Sequence, residues 1–356
     1  MKKTNNISAP FAAIISILCG LFLTGCNETA TVTNDSPARL STAEGLINYI
    51  KPLPAVQDVR AWQNPYGPGL IIETNHYQIF TTWLEPLMLK QIPAFVEAAW
   101  QQYQNQLPHQ ITAVGKFKLY LFEQREQWEQ FSKSFTASQW PVYAKIKHGA
   151  YYLNDSCVAY NIGRTRTFSV IGHEGWHQFS SRYFKYRLPS WLDEGIAQLF
   201  EQSDMENGKF VFKPAQNYQR LGSLKLAMQN GKTIPLRTLI SLNPGQTVQH
   251  HQPDAATSAF YAQSYALVRF LREDNYGKYL GNFHQMMLGA LNGTWPVNDA
   301  EAQIASSRNI PVTVQWNSYI AQKLFDIYIG QDIEKIEPEY KIFCSKITYP
   351  ITVKSY

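Results

Sequence analysis

The stretch HEGWH at His173–His177 places two imidazoles and a carboxylate within five positions, and a second acidic stretch, WLDEGIAQLFE, follows at Trp191–Glu201. On a helix, residues four positions apart lie on one face, so His173 and His177 can present two nitrogens to one metal ion. Glu174 then stands beside the first ligand, where it can take a proton from water. The spacing favours a zinc site over a helix that merely contains two hydrogen-bonded histidines.

A catalytic zinc site needs a third protein ligand and an open coordination position. A metzincin would have Gly at position 180 and His at position 183, but this chain has Ser180 and Tyr183, which excludes that class.

Further along the chain, Pro189 and Ser190 mark the start of a second helix. Glu194 lies in the first turn of that helix, 17 positions after His177. This distance allows a turn between antiparallel helices, so the Glu194 carboxylate can return to the histidine pair as the third ligand.

HEGWH followed by WLDEGIAQLFE resembles the gluzincin metallopeptidases, most closely the peptidase-MA-like domain families of bacterial envelope proteins. The arrangement is also similar to that of the aminopeptidase-N type, with its H-E-x-x-H and later N-E-G-F-A. The resemblance covers roughly Thr74 to Leu324. It implies an α+β fold: a thermolysin- or aminopeptidase-N-like catalytic domain with a small mixed sheet, an HExxH helix and a mainly helical C-terminal lobe.

The resemblance also implies roles for single residues. The Zn²⁺ ligands correspond to His173, His177 and Glu194, and the general base, which activates a zinc-bound water, corresponds to Glu174. Glu201 matches a glutamate that supports a ligand histidine in aminopeptidase-like relatives, although a solvated glutamate at a helix end is the alternative. Thermolysin-type relatives have an Asp four positions after the ligand Glu; this chain has Gln198 there, so that support is absent or moved.

Peptide hydrolysis needs a hydrogen-bond donor for the developing oxyanion. The segment YAQS at Tyr261–Ser264 resembles the Y-x-K-G of aminopeptidase-N relatives, in which the tyrosine has this role, but the lysine and glycine are replaced. Tyr261 is therefore the expected donor and Tyr265 its nearest rival, while a core aromatic is the alternative for both. His250 and His251, in a Pro-containing loop, are further candidates.

Patterns of two-residue and helical period predict the secondary structure. Strands are expected in Gly69–Trp83, with a break at Thr74-Asn75, in Lys116–Glu123, and on both sides of Asn154-Asp155. Helices are expected in 84–107, interrupted by Pro93, in 125–135 and around the HEGWH motif. Helical patterns dominate from Trp191 onward, and the final stretch KIFCSKITYPITVKSY is β-prone. The predicted lobes are residues 46–204 (α+β) and 205–356 (mainly helical).

The segment CVAYN, Cys157–Asn161, is expected to be an edge strand that binds an extended peptide by strand addition, with an ordinary covered strand as the alternative. True aminopeptidases have a G-x-M-E-N segment before the motif that holds the substrate amine. None precedes HEGWH in this chain. An endopeptidase, or a peptidase of another preference, is therefore expected.

The N-terminus has the organisation of a secretory signal: MKK, then the apolar run FAAIISILCGLFL, then LTGC. Leu23–Cys26 resembles the bacterial lipobox, which implies a signal peptide at 1–25, a lipidated Cys26 and a flexible tether at 26–45. The apolar run is shorter than the ~20 residues that span a bilayer. The expected location is the cell envelope, facing the periplasm, with the outer membrane favoured because Asn27 is not the Asp that retains lipoproteins at the inner membrane.

Loss of Lys2 and Lys3 with the signal lowers the formal charge from +5 to +3, and basic and acidic residues are interspersed, so nothing indicates nucleic-acid binding. In an oxidising compartment, Cys157 and Cys344 could form one disulfide or remain two buried thiols.

Together these features predict a lipid-anchored zinc metallopeptidase that acts on peptides or proteins. Two alternatives stay open. One is a non-catalytic envelope binding or scaffold lipoprotein that retains the gluzincin fold. The other is a zinc amidase that acts on cell-wall peptides.

Overall fold

The computed structural model describes residues 39–146, 149–248, 253–308 and 313–352. Within them the chain forms two compact units. The first comprises residues 39–182 and 197–217, and the second comprises 183–196 and 218–352. The chain therefore passes between the units more than once, whereas the sequence led us to expect a single boundary at 204/205. The predicted signal peptide and Cys26 lie outside the described residues.

The first unit contains a six-stranded mixed sheet. Its strands are β1 (Asp58–Ala61), β2 (Leu70–Glu73), β3 (Tyr77–Thr81), β4 (Phe117–Phe122), β5 (Ala150–Leu153) and β6 (Ser156–Tyr160). The strand order is β1-β2-β3-β4-β6-β5. β3, β4 and β6 run parallel, and the remaining pairs are antiparallel. The mixed α+β character is confirmed, and so are the strands expected on either side of Thr74-Asn75 and of Asn154-Asp155, which pair as hairpins β2/β3 and β5/β6.

The prediction that CVAYN is an edge strand is wrong. β6 pairs with β4 on one side and with β5 on the other, so its backbone groups are used within the sheet. All five of its residues are buried. β5 is the edge strand at this end of the sheet.

Helices precede and follow the strands of the first unit. They are α1 (Ala43–Ile50), α2 (Pro86–Gln104), α3 (Arg125–Thr136), α4 (Trp140–Tyr143) and α5 (Arg164–Tyr183). α2 runs through Pro93 without a break. α1 starts within the predicted tether, because the Thr42 hydroxyl accepts a hydrogen bond from the Gly45 amide at 3.1 Å and so caps the helix. Folded structure therefore begins before residue 46.

Residues 203–212 form a second, two-stranded sheet of β7 (Ser203–Glu206) and β8 (Lys209–Phe212). Asn207 and Gly208 make its turn with φ values of 50° and 79°, as expected for an Asn-Gly hairpin turn. The aromatic rings of Phe210 and Phe212 pack on Phe95 of α2, with centroids 5.2 and 5.6 Å away. The hairpin thus belongs to the first unit and not to the predicted helical lobe.

The described residues of the second unit form helices joined by loops, with no strand among them. Its helices are α6 (Ser190–Ala197), α7 (Tyr218–Gln229), α8 (Leu236–Ser241), α9 (Pro244–Val248), α10 (Pro253–Glu273), α11 (Leu280–Asn292), α12 (Asp299–Ser306), α13 (Val314–Leu324) and α14 (Ile333–Thr348). None of the helices that the structure describes has both the length and the hydropathy that a membrane crossing requires.

The C-terminal stretch is helical as far as Thr348, although its sequence is β-prone. Ile336, Tyr340 and Phe343 of α14 are buried at helical spacing, and burial of this apolar face outweighs the weak β preference of its branched residues. Lys225 Nζ donates to the carbonyl of Thr348 at 3.3 Å and so satisfies a carbonyl in the last turn.

The disulfide that the sequence allowed is not formed, because Cys157 and Cys344 are both free thiols and both buried. Cys157 lies on the interior strand β6, and Cys344 lies on the buried face of α14. Burial raises the pKa of Cys344 to about 12 and that of Cys157 well above its ordinary value.

Candidate metal centre

The predicted ligand histidines lie on one face of α5, as their spacing requires. Their Nε2 atoms are 3.3 Å apart, and each residue is 2% exposed. Two nitrogens bound tetrahedrally to one zinc at 2.0 to 2.1 Å would be about 3.3 to 3.4 Å apart. The two imidazoles of His173 and His177 therefore already have the separation of zinc ligands.

Glu194 completes a group of three potential ligands. One ligand atom from each of His173, His177 and Glu194 can be chosen so that all three atoms lie within 4.8 Å of one another. Glu194 is 1% exposed, and a buried carboxylate is costly unless a cation or hydrogen bonds compensate its charge. Two imidazoles and one carboxylate are a donor set of catalytic zinc sites. The residues therefore fit a Zn²⁺ ion.

Glu194 is positioned by the close packing of α6 on α10. A Cβ atom on the next residue, Gly195, would lie 2.5 Å from the carbonyl oxygen of Ser264, so only glycine permits this approach. At the start of α6, the backbone amide of Ser190 donates to Asn317 Oδ1 at 2.9 Å. The close packing of α6 on α10 thus explains why glycine occupies position 195.

Two glycines of α5 let other elements of the first unit approach the motif. A Cβ on Gly175 would lie 2.3 Å from the Tyr103 hydroxyl, and a Cβ on Gly172 would lie 2.3 Å from the Phe200 carbonyl oxygen. Close packing thus explains why glycine occupies both positions inside this helix. Tyr103 itself carried no recognisable signal in the sequence, because its partners are about 70 positions away.

Glu174 is completely buried beside the ligand helix face. Burial is the main cause that raises the pKa of Tyr143 to about 12, and the negative charge of Glu174 is the second. The same two causes raise the pKa of the Cys157 thiol well above its ordinary value. The phenol of Tyr143 and the thiol of Cys157 therefore stay protonated at neutral pH and cannot accept a proton. Of these three neighbouring side chains, the Glu174 carboxylate is the one that can accept a proton from water.

Glu201 contacts His173 through its carboxylate. Its Oε1 atom is 2.9 Å from His173 Nδ1, and both side chains are almost fully buried. A carboxylate only accepts hydrogen bonds, so Nδ1 carries the proton and Nε2 offers its lone pair to a metal. The solvated helix-end glutamate that was the alternative does not describe this residue.

Both candidate oxyanion donors lie on α10. Tyr261 is 2% exposed, and the guanidinium carbon of Arg220 lies 5.4 Å from its ring centroid. It precedes Ser264, whose carbonyl oxygen would lie 2.5 Å from a Cβ on Gly195 of α6, by three positions, so Tyr261 and Ser264 lie on one helix face. The Tyr265 hydroxyl accepts a hydrogen bond from Arg269 Nη1 at 3.0 Å. His250 and His251 lie outside the described residues.

Comparisons with known proteins add no identification, since no family model, curated protein or solved structure matches this chain.

Proposed function

We propose that this protein is a gluzincin-type zinc metallopeptidase that hydrolyses peptide bonds, most simply as an endopeptidase. The observation that carries the proposal is the buried group of His173, His177 and Glu194, with Glu174 in the same turn of α5. A metal site that only stabilised the fold would need the three ligands but not the additional buried carboxylate of Glu174.

A bound Zn²⁺ would act as a Lewis acid that acidifies water and polarises a carbonyl. Glu174 accepts the proton of the attacking water at its carboxylate and can deliver it to the amine that leaves when the C–N bond breaks. Glu201 keeps the Nδ1 proton of His173 and so presents Nε2 to the ion. Tyr261 is proposed to donate a hydrogen bond to the oxyanion.

The lipobox-like segment Leu23–Cys26 supports a location in the cell envelope. A lipid attached at Cys26 would hold the enzyme at a membrane surface, and the stretch before α1 would link the two. Substrates would then be peptides or proteins of the same compartment.

The direct test is Glu174→Gln, which replaces the base with an amide of the same shape. Zinc content should equal that of the unaltered protein, while cleavage of a fluorescence-quenched peptide library should fall by at least about 100-fold. Glu126→Gln, an exposed residue of α3, is the matched control and should change neither quantity. Full cleavage by Glu174→Gln would overturn the base assignment.

The same assay separates the alternatives. A scaffold lipoprotein would bind zinc but cleave no member of the library. A zinc amidase would leave the library intact and release stem peptides from muropeptides.

A further inference from the structure

Asn217, which is far from HEGWH in the sequence, is linked to His173 by hydrogen bonds through Glu201. Asn217 lies between the 3₁₀ turn Pro214–Gln216 and α7, and it is 4% exposed. Its Nδ2 atom donates to Glu201 Oε2 at 2.9 Å and to the carbonyl of Gln198 at 3.1 Å. Both partners accept hydrogen bonds, so the side-chain nitrogen of Asn217, and not its oxygen, must face them.

Each oxygen of the Glu201 carboxylate therefore has its own partner. Oε1 faces His173 Nδ1 at 2.9 Å, and Oε2 faces Asn217 Nδ2 at 2.9 Å. A carboxylate held at one oxygen alone can turn about its last bond, whereas one held at both oxygens keeps its plane. The backbone amide of Asn217 donates to the carbonyl of Pro214 at 3.2 Å, which holds the asparagine itself.

We propose that Asn217 is a positioning residue for the metal centre: it locks the Glu201 carboxylate, which in turn holds the tautomer and ring orientation of His173. The inference rests on the proposed zinc function and adds a residue to it. Outer partners of this kind commonly change metal affinity by about 10- to 100-fold when removed. Asn217 acts through one intermediate, so a smaller effect is expected.

The test is a double-mutant cycle on zinc affinity, measured by competition with a chromophoric chelator on the full-length protein. Asn217→Ala should raise the zinc dissociation constant about 3- to 10-fold, and Glu201→Ala about 10- to 100-fold. The double variant should bind zinc no more weakly than Glu201→Ala alone, because Asn217 then has no carboxylate left to position.

Two controls separate positioning from folding. Thermal unfolding of the metal-free proteins reports any loss of stability, and Asn282→Ala, which also removes an amide-to-carbonyl bond (to Tyr328, 2.6 Å), should leave zinc affinity unchanged. If Asn217→Ala does not fold, the isosteric Asn217→Asp replaces it; a second carboxylate against Glu201 should weaken zinc binding at least as much.

Unchanged affinity in the Asn217 variant, or an equal loss with and without Glu201, would overturn the inference while leaving the zinc site intact. Failure of the unaltered protein to bind zinc would instead contradict the proposed function.

Discussion

The hydroxyl of Tyr103 donates a hydrogen bond to the carbonyl oxygen of Gly172 at 2.8 Å. This bond joins α2 to the helix that bears both predicted histidine ligands. It exists because Gly175, one turn further along α5, has no side chain to keep the phenol away. The glycine of HEGWH therefore permits the packing of α2 against the helix that carries His173 and His177.

In Gly175→Ala, displacement of the Tyr103 hydroxyl by the new methyl group should cost about 1 to 3 kcal/mol, whereas helix propensity should gain about 1 kcal/mol. The free energy of unfolding should therefore fall by up to about 2 kcal/mol. Chemical denaturation measures the difference. Gly281→Ala on α11 is the matched control: nothing lies within 4 Å of a Cβ there, so a small gain is expected. Equal stability changes in both variants would refute the packing argument.

Tyr261→Phe tests the proposed oxyanion donor. Removing one such donor typically costs about 100- to 1,000-fold in kcat, and zinc content should stay the same. Tyr265→Phe is the comparison: its hydroxyl bonds Arg269, so it should affect stability more than kcat. A Tyr261→Phe variant with unchanged kcat would remove this residue from the proposed mechanism.

Tyr143→Phe should stabilise the protein. Among the described residues, the buried Tyr143 hydroxyl has no hydrogen-bond partner, and such a group costs about 1 to 3 kcal/mol. We expect a gain of up to about 1 kcal/mol in the free energy of unfolding. Tyr151→Phe should instead lose about 1 kcal/mol, because that hydroxyl donates to Ser132 Oγ at 2.8 Å. A destabilised Tyr143→Phe variant would show that the hydroxyl has a structural partner.

Glu73 should contribute a pH-dependent stability. Hydrogen bonds from Lys116 and Arg60, each at 2.9 Å, lower the pKa of Glu73 to about 2 from an ordinary value of 4.5. A lowered folded-state pKa stabilises the protein above pH 4.5, and this contribution is lost as the pH falls through about 2. Because the group is partly exposed, the effect is at most about 1 kcal/mol.

Glu73→Gln should accordingly be less stable than the unaltered metal-free protein at pH 7, and the difference should shrink toward pH 2. Urea denaturation across this range measures it. Glu126→Gln, on the exposed side of α3, is the matched control for the loss of one carboxylate. A difference that stays constant with pH would mean that the ion pairs do not act through the Glu73 carboxylate.

Local patterns predicted the elements whose signal lies within a few residues. The alternation around Thr74-Asn75, the turn at Asn154-Asp155 and the His173/His177 spacing each specify geometry over one short segment, and each element is present. The position of β6 was not predictable in this way, because whether a strand is an edge depends on partners elsewhere in the chain. Asn207-Gly208 did carry a hairpin signal that was missed.

The grouping of His173, His177 and Glu194 was predictable, because the helical period and one turn between two helices determine it. Other residues around this group were not predictable. Tyr103 and Asn217 reach α5 and Glu201 through the fold of the first unit, and neither residue type nor spacing distinguishes them from other buried tyrosines and asparagines. The C-terminal helix shows the same limit, since tertiary burial outweighed a local β preference.

Zinc stoichiometry tests the central claim most directly. Elemental analysis of the purified protein, after zinc loading and removal of excess metal, should give about one zinc per chain. Glu194→Ala should bind it at least about 100-fold more weakly, because one of three protein ligands is lost. A protein that retains no zinc, or a Glu194→Ala variant that binds it as tightly, would contradict the account.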